Sequence, residues 1–280
     1  MASSRWWSRD TVAVVTGANK GIGYEIVRQL AKEDVTVILT ARNEQLGMLS
    51  TEKLRAEGLN IDFHTLDVCS TDSIASLSQN IKQKYGGFDI LVNNAATADY
   101  GNSYEELKLV LQTNYWGVKN VTKGLLPLLR PSSSGARIIN VSSHLGMLER
   151  IKNATFVQQL SDIGNLSEEK VDAFVQQFLE DSNSGDLASR GWPKNLSAYC
   201  VSKVALNAYT RVLAKELPNR PEGQNFYVNS MAPGYVKTDL NRNSGILTPE
   251  KGADTVVWLA LLPPGGPTGQ FFYQRKYLAF

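Results

Sequence analysis

Thr16-Gly17-Ala18-Asn19-Lys20-Gly21-Ile22-Gly23 is the stretch that decides the fold. It closes the apolar, β-branched run Thr11–Thr16 and opens the amphipathic segment YEIVRQLAKE, Tyr24–Glu33. Glycines let a backbone turn tightly and approach a pyrophosphate, and the bare N–H groups and dipole of a helix N-terminus attract its negative charge. Three glycines alone carry little weight, because glycine-rich turns are common. A strand before and a helix after make the loop a dinucleotide cradle, lined by Gly17, Asn19, Lys20, Gly21, Ile22 and Gly23.

Outward from this loop, short β-branched runs alternate with helix-length amphipathic segments, the pattern of βαβ units feeding a parallel sheet. The predicted strands are Thr11–Thr16, Val35–Thr40, Ile61–Leu66, Phe88–Val92, Ala136–Val141, Phe226–Met231 and Gln270–Tyr273. Parallel strands covered on both faces read as continuous apolar runs, and VAVVT, VTVIL and DILV do so. The expectation is an α/β, doubly wound fold around a seven-stranded parallel sheet. No repeat or low-complexity linker divides residues 1–280, so one domain is expected.

One connection breaks the rhythm. More than fifty residues separate the strand ending at Val141 from a helix expected to begin near Ser197, too many for an ordinary loop in a compact domain. Within them Val171, Phe174, Val175, Phe178 and Leu179 form a one-sided stripe that predicts an amphipathic helix starting near Ser167. The insertion, about 149–193, returns to the main fold through a Gly191-Trp192-Pro193 turn.

Composition narrows the function. With 29 Lys+Arg against 27 Asp+Glu, the chain lacks the clustered positive excess that nucleic acid or an anionic membrane requires. The first residues, MASSRWWSRD, contain no apolar leader, and the longest apolar run, Val256–Leu262, is far short of a membrane span. Two cysteines, Cys69 and Cys200, make no disulfide framework, so a cytoplasmic location is expected. His64 and His144 lie on separate segments without metal-site spacing, so no metal is expected.

Cofactor choice turns on the end of the second strand, where a carboxylate would hold a ribose 2′-hydroxyl and a cation a 2′-phosphate. Here it reads Thr40-Ala41-Arg42, with no carboxylate before Glu44. Arg42, with Lys20 in the glycine loop as a second positive charge, favours NADP(H); a guanidinium grips a phosphate with two hydrogen bonds.

Tyr199 and Lys203 stand four apart in a helical segment, on one face. Alone the pair means little. In order along the chain, however, come the glycine loop, Asn93-Asn94-Ala95-Ala96 after the fourth strand, Asn114 in QTNYWG, Ser142-Ser143 ending the fifth strand, Tyr199-Cys200-Val201-Ser202-Lys203, and Pro233-Gly234 after the sixth strand. Together these resemble the short-chain dehydrogenase/reductase family over nearly the whole chain. The resemblance implies a Rossmann fold, a catalytic tetrad of Asn114, Ser143, Tyr199 and Lys203, and an adenine contact at Asp67-Val68. It also implies a wall behind the adenosine ribose at Asn93 and Ala95. Tyr199 and Lys203 would touch the cofactor as well, and Pro233, Gly234, Val236 and Thr238 would hold its nicotinamide end. Ser143 fits the catalytic slot and Ser142 its structural neighbour.

The chemistry can be reasoned beside the resemblance. Hydride transfer from NADPH to a carbonyl carbon leaves negative charge on oxygen, which needs a proton donor and a fixed hydrogen bond. Bringing a tyrosine from its ordinary pKa near 10 to about 7 takes about 4 kcal/mol. An ammonium about 4 Å away supplies roughly that at an effective dielectric of about 20. Tyr199 is therefore expected to be acidified by Lys203; the family resemblance further implies Ser143 on the carbonyl and Asn114 helping to hold a water that relays protons to Lys203.

In plainer members of the family the serine and tyrosine lie much closer than Ser143 and Tyr199 do here. The intervening insertion resembles the monomeric carbonyl-reductase branch and its plant relatives, such as the salutaridine, menthone and neomenthol reductases. That implies a monomer reducing a ketone or aldehyde of a small apolar, terpenoid- or alkaloid-like metabolite. The alternatives are an alcohol dehydrogenase running oxidatively and a non-catalytic NADP-binding sensor or scaffold. Phe156, Phe174 and Phe178 either pack against substrate or form ordinary helix core.

Overall fold

The seven runs expected as strands pair in the computed structural model, which describes residues 5–98, 100, 103–132, 134–185, 187–217 and 225–280. They are β1 Val12–Val15, β2 Thr36–Ala41, β3 Ile61–Thr65, β4 Ile90–Asn93, β5 Ala136–Val141, β6 Phe226–Ala232 and β7 Phe271–Tyr273, all parallel. The spatial order β3-β2-β1-β4-β5-β6-β7 reverses direction between β1 and β4. A crevice opens outside the carboxyl ends of strands at such a switch point.

The helices are α1 Gly21–Lys32, α2 Glu44–Ala56, α3 Thr71–Tyr85, α4 Tyr104–Leu111, α5 Val118–Leu125, α6 Ala154–Ser161, α7 Glu168–Asn183, α8 Ser197–Glu216 and α9 Pro249–Ala260. Side chains of a strand alternate between faces, so β1 serves two cores. Val12 and Val14 pack with residues of α3, α4, α5, α7 and α8, while Ala13 and Val15 pack with residues of α1 and α9.

The expected single-sheet architecture holds with one correction: among the described residues the sheet has eight strands. After β7 the chain reverses through Gln274 and Arg275, both at positive φ (48° and 61°), and β8, Lys276–Tyr277, pairs antiparallel. Two-residue hairpin loops favour Asn-Gly or Asp-Gly for this geometry, so Gln-Arg gave no signal of a turn. Tertiary contacts hold it instead. Arg275 pairs with Asp254 of α9, and its backbone N–H donates to Thr255 Oγ1 at 3.2 Å.

The insertion contains α7 where its stripe predicts, N-capped by Ser167, together with a shorter helix, α6, not anticipated from the sequence. Val171, Phe174, Val175 and Phe178 are fully buried. Phe156, Phe174 and Phe178 surround Trp192 with ring centroids 5.1–5.3 Å away, which accounts for these phenylalanines as helix core. Tyr115 and Lys119 both reach Asp172 and tie α7 to the main fold.

Candidate active site

The glycine loop is shaped before any ligand arrives. Thr16 Oγ1 accepts from the backbone N–H groups of Asn94 and Ala95, and Asn94 Nδ2 donates back to the carbonyls of Thr16 and Gly17 at 2.9 and 3.0 Å. Gly17, at φ 62°, lies so close to Ala95 that a Cβ would sit 2.8 Å from its Cα. At Gly23 a Cβ would fall 2.5 Å from Asn94 Nδ2. Asn94 is thus the brace of the loop. The sequence showed two adjacent asparagines and no sign of which one does this.

α2, α3 and α4 carry side-chain N-caps from Asn43, Ser70 and Ser103, whereas no side chain caps α1 and no acid occupies its first turn. Helix starts leave backbone donors without partners, so the α1 N-terminus at Gly21, Ile22 and Gly23 offers N–H groups to an anion. A Cβ on Gly21 would meet only Thr238, at 3.4 Å, so the pocket wall here is formed by the segment after β6. This donor set and the bare glycines fit a dinucleotide pyrophosphate.

Arg42 is exposed just past β2 and makes no hydrogen bond or ion pair with another described residue. Lys20, expected beside it, instead pairs with Asp239 at 2.7 Å. Asn19 is tied to α2 through its carbonyl, which accepts from Ser50 Oγ at 2.8 Å. Past β3, Asp67 accepts from the Cys69 N–H at 2.9 Å, and the Val68 side chain is buried against Gly117.

Asn93 turns its side chain into the protein. Its Nδ2 donates to Thr122 of α5 and to Asn140 of β5 at 3.1 and 2.9 Å; Asn140 Nδ2 in turn donates to Thr210 of α8 at 2.9 Å. A buried polar ladder therefore joins α5, β4, β5 and α8 beneath the crevice. Ala95, the other residue expected at the ribose, lies against the glycine loop.

Beyond β6, Pro233 and Gly234 (φ 84°) lead to Val236, whose N–H donates to Gly234 O at 3.1 Å and whose carbonyl accepts from Asn241. Thr238 caps a short 3₁₀ turn, Asp239–Asn241, sharing a capping box with Asn241. Tyr100, from the loop after β4, donates to Leu240 O at 2.6 Å, so this segment spans the crevice.

The four residues expected as a tetrad gather at the carboxyl ends of β4 and β5. Lys203 and Tyr199 share a face of α8, with Lys203 Nζ 5.6 Å from the Tyr199 ring centroid. Ser143 caps a 3₁₀ turn, His144–Gly146, and hydrogen-bonds the Tyr199 phenol. Ser142 is buried and faces Lys203 O, which fits it as the structural neighbour. Asn114 lies in a π-helical stretch, Gln112–Gly117, a rare form that recurs at functional sites. Its side chain exchanges hydrogen bonds with the Thr97 backbone, both at 2.8 Å, and donates to Ser202. Both Nδ2 donors are thus engaged, while Oδ1, which accepts one bond here, has a second lone pair that a water could use.

The electrostatics differ from the expectation. Burial pushes the Tyr199 phenol up to about 12, outweighing the Ser143 hydroxyl, and lowers Lys203 to about 7. Lys203 Nζ donates to Val141 O at 2.7 Å, and desolvation dominates its charge. An ammonium carries three donors, and Val141 O is its one hydrogen-bond acceptor among the described residues. The remaining donors of this buried group fit the hydroxyls of a bound ribose. His144, to which the sequence assigned no role, packs edge-on against Tyr273 at 4.3 Å, and burial holds it below the usual imidazole range. Among the described residues no group of three His, Cys, Asp or Glu side chains is placed to hold a metal.

Fold and site together define a dinucleotide-binding oxidoreductase of the doubly wound class. Residues 11–157 and 184–246 match the short chain dehydrogenase family, and the chain belongs to it. Short-chain dehydrogenase/reductase 1 of Saponaria officinalis is 42% identical, with 99% of both chains covered. Carbonyl reductase [NADPH] 1 of Mus musculus is 39% identical, again with 99% of each covered. The structure of salutaridine reductase from Papaver somniferum superposes with a TM-score of 0.87 at 39% identity, covering 94% of this chain and 99% of that one.

Proposed function

We propose that the protein is an NADPH-dependent reductase that converts a ketone or aldehyde of a small apolar metabolite to the alcohol. The observation that carries this reading is the Tyr199 phenol, hydrogen-bonded to Ser143 and underlain by Lys203. A phenol held up at about 12 is protonated at neutral pH, the state a proton donor to a reduced carbonyl needs. Ser143 and Tyr199 would hold the carbonyl oxygen between their hydroxyls. Lys203, titrating near neutrality, would hold the cofactor ribose and return a proton to Tyr199. Bound NADPH supplies the hydride. The bare α1 N-terminus would hold the pyrophosphate; Arg42, with Lys20, would hold the 2′-phosphate; and Asp67, Val68 and Ala95 would flank the adenosine.

The names of the carbonyl reductase [NADPH] and salutaridine reductase relatives support both the cofactor and an alkaloid- or terpenoid-like substrate. A monomer is supported by the way α7 covers α4 and α8 with its apolar face. A cytosolic location is supported by two free thiols, Cys69 and Cys200. No helix among the described residues is long and apolar enough to cross a membrane.

Tyr199→Phe tests the reading. Over a panel of cyclic ketones, NADPH oxidation should fall by roughly 10²-fold or more, while the Kd for NADPH stays within about two-fold. Undiminished turnover would refute the proton-donor role.

A further inference from the structure

Lys20 stands between two claims on its charge. Its loop is fastened to the β2–α2 side of the crevice: Ala18 N–H donates to Thr40 O at 2.8 Å, and Asn19 O accepts from Ser50 of α2. This is the side that carries Arg42, two residues past Thr40. Yet the Lys20 ammonium reaches the other way, across the crevice to Asp239 at 2.7 Å, onto the segment after β6. That segment is anchored by its own contacts. Thr238 and Asn241 share a capping box, Tyr100 donates to Leu240 O, and the Arg242 guanidinium lies over the Tyr100 ring at 4.9 Å. Asp239 therefore has a fixed backbone from which to draw Lys20 away from Arg42.

We propose that Asp239 is an internal competitor for Lys20, setting the affinity of the protein for the 2′-phosphate of its cofactor. The inference rests on the NADP(H) reading above and adds a residue to its specificity. Both partners of the pair are about three-fifths exposed, so the bond between them is weak and exchangeable. Lys20 holds the Asp239 carboxyl below the usual carboxylate range, so Asp239 stays ionised at neutral pH and the competition is permanent. A phosphate carrying nearly two charges, gripped also by Arg42, outcompetes one carboxylate but loses part of its binding in detaching Lys20. Nucleotides without a 2′-phosphate make no such demand.

Adenosine 2′,5′-bisphosphate and AMP, titrated against the intact protein at low ionic strength, separate the possibilities. Asp239→Asn should tighten the bisphosphate by roughly two- to five-fold and leave AMP unchanged. In a Lys20→Met background the same substitution should change neither ligand. Three results would overturn the proposal: no change in bisphosphate affinity; equal tightening with and without Lys20, which would mean only a weakened negative field; or weaker binding of both nucleotides, which would make the pair a clasp over bound cofactor. A wild-type protein with no preference for the bisphosphate over AMP would remove the NADP(H) reading and the competition together. An intact preference unmoved by Asp239→Asn would remove the competition alone.

Discussion

Lys203 is 2% exposed and has one acceptor among the described residues, Val141 O, so the cofactor-free protein holds a costly charge in place. The unfolded chain retains the lysine proton up to its ordinary value of 10.5, whereas the native chain gives it up at about 7. Between those values the unfolded state binds more protons, and this residue makes stability rise with pH; below about 7 both states are charged and the full penalty applies. Lys203→Met should therefore raise the stability of the cofactor-free protein at pH 6 by something on the order of 1–4 kcal/mol. The gain should shrink as pH approaches 10, and NADPH-dependent turnover should be lost. Thermal melts across that range check it, and an advantage that grows with pH would contradict the assignment. At this scale the sequence singled out Ser143, Tyr199 and Lys203 as candidates, which the structure brings together, but did not reveal the charge states of Tyr199 and Lys203. Those depend on how far burial outweighs a neighbouring charge, which spacing does not encode. Nor did it reveal that Lys20 meets Asp239, a partner 219 positions away.

The helices and turns were legible where a local rule governs them. α7 announced itself by its stripe, because burying one face is what makes a solitary helix stable. The π-helical stretch around Asn114 has no composition signature. β8 follows a turn whose residues break the usual preference and are held by α9. The insertion also carries a prediction of its own. Trp192 is 2% exposed, ringed by Phe156, Phe174 and Phe178, and its Nε1 donates to the buried Asp181 at 2.8 Å. Trp192→Ala should cost about 3–5 kcal/mol by opening a cavity and removing one donor from that carboxylate. The denaturant midpoint should drop accordingly, while nucleotide affinity of the folded fraction is preserved.

Across the whole molecule, strand order and the position of the crevice follow from alternating strands and helices with right-handed crossovers, so a βαβ pattern was enough to place the crevice that holds the candidate site. The proposed monomer rests on what the insertion covers. With α7 seated on α4 and α8, light scattering of the purified protein should return a single chain of 30.8 kDa at micromolar concentration. A dimer would show that another face mediates assembly.

The polar ladder from Thr122 through Asn93 and Asn140 to Thr210 pins α8, which carries Tyr199 and Lys203, to the central strands by directional bonds rather than by apolar contact alone. Grease tolerates slippage; directional bonds between amides and hydroxyls do not, even with Asn93 Oδ1 left unpaired among the described residues. Tyr199 and Lys203, carried on that helix, accordingly keep one registration with the sheet beneath the crevice loops. Those loops are free to be rewritten for differently shaped carbonyl compounds without retuning the chemistry underneath.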